Sequence, residues 1–126
     1  MKHKEFELQK SICKYLDLQY PELLYLSTGT SLKLTMGQAV RNKLIQKNGF
    51  KVPDLLILHP NNLYHGLFLE LKIESPYKKD GQIKSNEHLQ GQEKSIKDLI
   101  KWGYYACFVV GFDEAKDIID KYLDII

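Results

Sequence analysis

Two stretches decide the fold: Pro53-Asp54-Leu55-Leu56-Ile57-Leu58 and, after the turn residues His59-Pro60-Asn61-Asn62, Leu67-Phe68-Leu69-Glu70-Leu71-Lys72-Ile73. Both are apolar runs of strand length bounded by turn signals, and together they read as a hairpin. The second run is apolar on both sides of its period-two alternation, the mark of a central strand covered on both faces. Glu70 and Lys72 stand inside it. A period of two puts them on one face, about 7 Å apart along the strand. Asp54 begins the neighbouring strand. Charged side chains are seldom buried without a partner, so three of them in two adjacent apolar strands are costly unless they share a purpose. Spacing alone also admits a plainer arrangement, a Glu70–Lys72 ion pair with Asp54 as a turn residue after Pro53. A divalent cation supplies the shared purpose. Two carboxylates and a backbone carbonyl can hold Mg²⁺ and leave positions for water and phosphate oxygens.

Outward from the hairpin, residues 4–19 carry Leu8, Ile12, Tyr15 and Leu16 between charges and read as an amphipathic helix ended by Pro21. Residues 23–27 form a short strand, followed by a polar loop at Thr28-Gly29-Thr30-Ser31. Residues 36–47 look helical, with Val40, Leu44 and Ile45 on one side and Gly49 as a stop. Residues 74–86 are a long polar loop, 87–101 a helix stopped by Gly103, and 104–110 an apolar strand. A final helix runs over 113–123, with Asp113 as its N-cap. The order α-β-α-β-β-α-β-α in one short chain implies an α/β domain spanning 1–126, a single sheet flanked by helices.

The chain has 126 residues, 44% of them apolar and 27% charged, with a formal charge of +2. That is one ordinary domain of globular composition, which needs no disulfide or structural metal to fold. No apolar run is long enough to span a membrane, and no leader-like segment follows the charged start, so the protein is expected to be soluble and cytoplasmic. Cys13 and Cys107 are far apart and read as small hydrophobes. His3, His59, His65 and His88 share no metal-ligand spacing, and no nucleotide-binding glycine motif appears. Residues 1–50 hold eight Lys/Arg against four Asp/Glu, and the remainder ten against twelve. All the basic residues except Arg41 are Lys. Lysine is a point charge suited to phosphate, so any nucleic-acid recognition is expected to read backbone or shape rather than sequence.

Asp54 followed by Glu70-x-Lys72 resembles the PD-(D/E)XK nuclease superfamily, and the wider pattern resembles its VRR-NUC family, the virus-type replication-repair nucleases. The matching pieces are Glu5 and Gln9 on the first helix, Val52-Pro53-Asp54-Leu55, Tyr64 through Lys72, Gln92, and Gly103-Tyr104. They occur in order over residues 5–123. The chain departs from the family at Lys51, where members often have Gly, and in the longer loop at 74–86.

The resemblance implies a restriction-endonuclease-like fold, with a central mixed sheet, and a Mg²⁺-dependent DNA endonuclease in which Mn²⁺ substitutes. Asp54, Glu70 and the Leu71 carbonyl would ligate the metal. Glu5, rather than Glu7, would be the helical acid, because it is expected to point inward with Leu8, Gln9 and Ile12. Lys72 would act by electrostatics, since two neighbouring carboxylates favour its charged form. Gln92 would donate to a metal ligand or to phosphate. Lys78, Lys79 and Lys84 on the 74–86 loop, and Arg41 and Lys43 on the second helix, are candidate DNA contacts. Branched DNA is the implied substrate, in a bacterial or phage-infected cell. A symmetric double cut by a one-site domain would need a homodimer. The alternative is a non-catalytic nucleic-acid-binding module on the same fold.

Overall fold

Leu8, Ile12 and Leu16, spaced by four, occupy one face of helix α1 (Lys4–Gln19), and all three are buried. A computed structural model describes residues 3–28 and 34–126. The polar loop expected after Thr28 lies outside these residues. Strands β1 (Tyr25–Ser27), β2 (Leu55–Ile57), β3 (Leu67–Lys72) and β4 (Tyr105–Val110) form one sheet in the order β1-β2-β3-β4. β1/β2 and β2/β3 are antiparallel, the latter as the expected hairpin. β3 and β4 are parallel, as a crossover through helix α3 (Glu87–Lys101) requires.

The alternation of β3 splits the core in two. Leu67, Leu69 and Leu71 face α1 and α4 (Gly111–Asp124), in a cluster with Leu55, Ile57 and Val109. Tyr15 and Tyr20 hydroxyls both donate to Asp120 Oδ1 and tie α1 to α4. On the opposite face Phe68 packs with Ile96 and Leu99 of α3 and with Ala106 and Phe108 of β4. Glu70 and Lys72 follow Phe68 on this second face.

Several features differ from expectation. Helix α2 (Met36–Leu44) stops three residues early, where Ile45 N–H turns back to Asn42 O, and Gly49 serves a later turn at φ +80°. Val40, Leu44 and Ile45, expected to bury one side of it, are exposed, because among the described residues no element packs on that face. α4 starts at Gly111 rather than Asp113; Glu114 Oε1 accepts the Val110 N–H at 3.2 Å, so a side chain inside the first turn does the capping. The 74–86 segment is folded: Tyr77 and Ile83 form an antiparallel bridge, and Lys78 N–H donates to Gln82 O at 2.7 Å. It ends at Asn86, whose Oδ1 accepts the Leu89 N–H and caps α3.

Candidate active site

The Leu55–Leu69 pairing of β2 with β3, continued by one residue, brings Asp54 opposite Glu70. Opposed residues in an antiparallel pair have Cβ atoms about 5 Å apart. Asp54 is held at both ends. Its backbone carbonyl accepts from Gln9 Nε2 at 2.9 Å and from Thr28 N–H at 3.0 Å. Its Oδ2 accepts from Leu71 N–H at 2.8 Å. The aspartate therefore cannot swing away from β3 without leaving a buried donor unpaired.

Glu70 is only 6% exposed and Asp54 9%. Gln92, on the second turn of α3, donates from Nε2 to Glu70 Oε1 at 2.6 Å. Its other amide atom, Oε1, is buried and has no hydrogen-bond partner among the described residues. Burial is the main force on Glu70, and the Asp54 carboxylate adds to it; Lys72 opposes them. Together they push the Glu70 pKa up to about 8. Replacing Gln92 by Leu removes the donor to Glu70. We expect a loss of about 1–3 kcal/mol in urea unfolding, the usual cost of a stranded buried group.

Lys72 emerges two residues beyond Glu70, half-buried, with Nζ 5.8 Å from the centre of the Phe108 ring. Tyr77 meets the same ring edge-on at 5.9 Å, so the folded 77–83 arm braces the floor under Lys72. A cleft of about 350 Å³ opens here, lined by Glu5, Lys72, Glu74, Lys84, Asn86 and Leu89. Glu5 thus lies where the cleft begins, but exposed. The expectation that it points inward is corrected: Leu8, Gln9 and Ile12 are buried, whereas Glu5 occupies the first turn of α1 and overhangs the rim.

Among the candidate DNA contacts, Lys84 lines this cleft, Lys78 and Lys79 sit on the tip of the arm, and Arg41 and Lys43 are exposed in the last turn of α2. Leu71, the candidate carbonyl ligand, lies between Glu70 and Lys72 and touches Asp54 through its own N–H. Asp54 and Glu70 are the side chains placed to share a cation. No group of three or more His, Cys, Asp or Glu side chains is so placed among the described residues.

Gln9, one of the matching pieces on the first helix, is a buried anchor of Asp54. Other contacts at the site are not visible in the residues alone. Ser95, fully buried, accepts the Lys51 N–H at 2.8 Å; it shares a helix face with Gln92, Ile96 and Leu99. The Lys51 side chain lies across Gly91, where a Cβ would stand 2.4 Å from its Cε. The large residue at the departure from the family is thus matched by a missing one on α3. His88 is one turn before Gln92. Burial and then the Lys51 and Lys72 ammonium groups lower its pKa, while Glu5 and Asp54 raise it.

A solved structure described as a VRR_NUC domain protein superposes with a TM-score of 0.63, covering 96% of this chain and 88% of that one at 22% identity. The chain has the VRR-NUC fold. No family model matches the sequence, and no curated protein does. The likeness is therefore carried by three-dimensional arrangement over nearly the whole chain. In this chain's sheet the two inner strands are β2, which Asp54 immediately precedes, and β3, which carries Glu70 and Lys72. Among the described residues no helix is long and apolar enough to cross a membrane.

Proposed function

We propose that the chain is a metal-dependent DNA endonuclease that hydrolyses phosphodiester bonds and selects branched DNA, such as four-way junctions or flaps. The observation that carries this reading is the pair of buried carboxylates, Asp54 and Glu70, facing each other beside Lys72. Burial first, and then repulsion between the two groups, push the Glu70 pKa up to about 8. A divalent cation turns this cost into binding energy. The donors are hard oxygens, the preference of Mg²⁺ and of Mn²⁺. Asp54, Glu70 and the Leu71 carbonyl would hold the ion, with Glu5 reaching it through water from the rim.

A cation bound there supplies Lewis acidity toward a phosphoryl oxygen and makes water more acidic. The protein's own groups do the rest. Gln92 fixes the orientation of the Glu70 carboxylate, and Leu71 N–H fixes Asp54. Lys72 brings a positive charge to the position where negative charge grows on the phosphate. Lys84 faces the cleft and Lys78 and Lys79 extend beyond it, so the arm can meet the phosphates of an arm of branched DNA. A paired cut would need a second copy of the chain, and a cytoplasmic setting in a bacterial or phage-infected cell suits such a substrate.

The test is a cleavage panel of four-way, flap, duplex and single-stranded DNA with Mn²⁺ or Mg²⁺. We expect cleavage of branched forms that EDTA stops. If every substrate stays intact in Mn²⁺ while DNA still binds, the chain is a binding module and the enzyme reading fails.

A further inference from the structure

At the end of α3 remote from Gln92, aromatic and basic side chains gather. Trp102, the single tryptophan of the chain, follows α3 with 71% of its surface exposed. Beside it a cavity of about 750 Å³ is lined by Phe50, His65 and Tyr104 and by Lys47, Lys94 and Lys101. Its floor is fixed. Tyr104 packs edge-on against His65 at 5.5 Å and Phe68 at 5.3 Å. Gly103, at φ +95°, lets the chain press against the His65 ring, where a Cβ would stand 2.6 Å from Cδ2. The other exposed aromatics, Phe6 and Tyr77, are less open to solvent, at 39% and 42%.

The cavity does not end there. Lys47, Asn48, Gly49 and Phe50 also line a second hollow of about 680 Å³ that reaches Lys43 and Lys51. Lys51 in turn lies over Gly91, next to Gln92, the partner of Glu70. A basic track thus runs from the carboxylate pair to Trp102. Between Gln92 and Trp102 it follows α3 for about 15 Å, by helix rise, the length of a few nucleotides. Five lysines line the two hollows, against one acid, Asp98, which is paired with Lys94 at 3.0 Å.

We propose that this groove holds an unpaired strand of the nucleic-acid substrate, with Trp102 stacking on a base and the lysines following its phosphates. Stacking on an aromatic ring above a positively charged groove is how single strands are held without sequence readout. The charge excess matches a polyanion rather than an apolar protein surface. The proposal rests on the nuclease reading above, and it names which part of a branched substrate the fold grips.

The experiment uses the full chain in EDTA, where the substrate stays intact, and an oligothymidylate probe. Emission of the one tryptophan and anisotropy of end-labelled probe are followed in the same titration. We expect quenching that saturates with the anisotropy signal. Trp102→Ala should weaken probe binding about 10-fold, within the range for loss of one stacked base, and Trp102→Phe should restore part of it. Gly91→Ala introduces a better helix former but displaces Lys51, so it should weaken binding without loss of the helical circular dichroism signal. Asp54→Asn should still quench.

Anisotropy that rises with no change in emission would overturn the proposal and leave the nuclease reading standing. So would emission that shifts with protein concentration alone while sedimentation shows a dimer, since a second copy then covers the groove. Failure of both binding and Mn²⁺ cleavage would overturn the nuclease reading and this proposal with it.

Discussion

Asp54→Asn is expected to lower metal-dependent DNA cleavage by about a thousandfold or more, because a metal ion's share of transition-state stabilisation is several kcal/mol and each 1.36 kcal/mol is tenfold in rate. The substitution is nearly isosteric. The Asn side-chain oxygen can still accept from Leu71 N–H, as Asp54 Oδ2 does at 2.8 Å, and the backbone carbonyl keeps Gln9 and Thr28. The variant should therefore fold and bind DNA at least as well as the parent, since one negative charge no longer repels phosphate. Single-turnover cleavage and filter binding on the same substrate separate the two effects. A variant that retains a tenth of parental cleavage would show that Asp54 has a structural role instead.

The second large effect concerns pH in the absence of metal. Glu70 keeps its proton to about pH 8 in the folded chain, against an ordinary 4.5 when unfolded. Between those values the native state binds more protons, so stability falls as pH rises. The contribution of this group is complete below about pH 4.5 and gone once the pH has passed 8. With EDTA present, Tm should fall steadily from pH 5 to pH 8. Glu70→Gln, neutral at every pH, should remove most of that slope. Mg²⁺ or Mn²⁺ should raise Tm most at the alkaline end, where the carboxylate they need is already ionised. A parent and a Glu70→Gln variant with parallel Tm profiles would refute the burial argument.

Much of this was legible in the residues. α1 and α3 have the bounds their apolar stripes demand, Leu8, Ile12 and Leu16 in one and Ile96 and Leu99 in the other, with Asn86 as a cap. The hairpin is legible because β2 and β3 are apolar on both faces, and Asp54, Glu70 and Lys72 stand out against that background. The end of α2 was not, because its apolar residues meet no packed partner among the described residues, and pattern reading presumes a core to face. The contacts of Gln9, Lys51, Ser95 and His88 were hidden for another reason. A polar residue on an amphipathic helix looks the same whether it meets solvent or a buried carboxylate. Only the fold shows that Gln9 is buried against Asp54, 45 positions away. Glu5 differs only in burial: it is exposed in the first turn of α1, yet it lines the cleft with Lys72 and its charge acts on Glu70.

The alternation along β3 also governs what happens when the chain misfolds. A slip of one residue in the pairing of β3 turns every side chain to the other face. Glu70 and Lys72 would then enter the cluster of Leu8, Ile12, Leu16 and Ile119, and Glu70 would leave Gln92 behind on the other face. Such a molecule is too unstable to persist. Errors of assembly at this strand are therefore selected against by stability alone. Under the nuclease reading proposed above, the two charges assigned to the chemistry would also act as a proofreader of the chain's own folding.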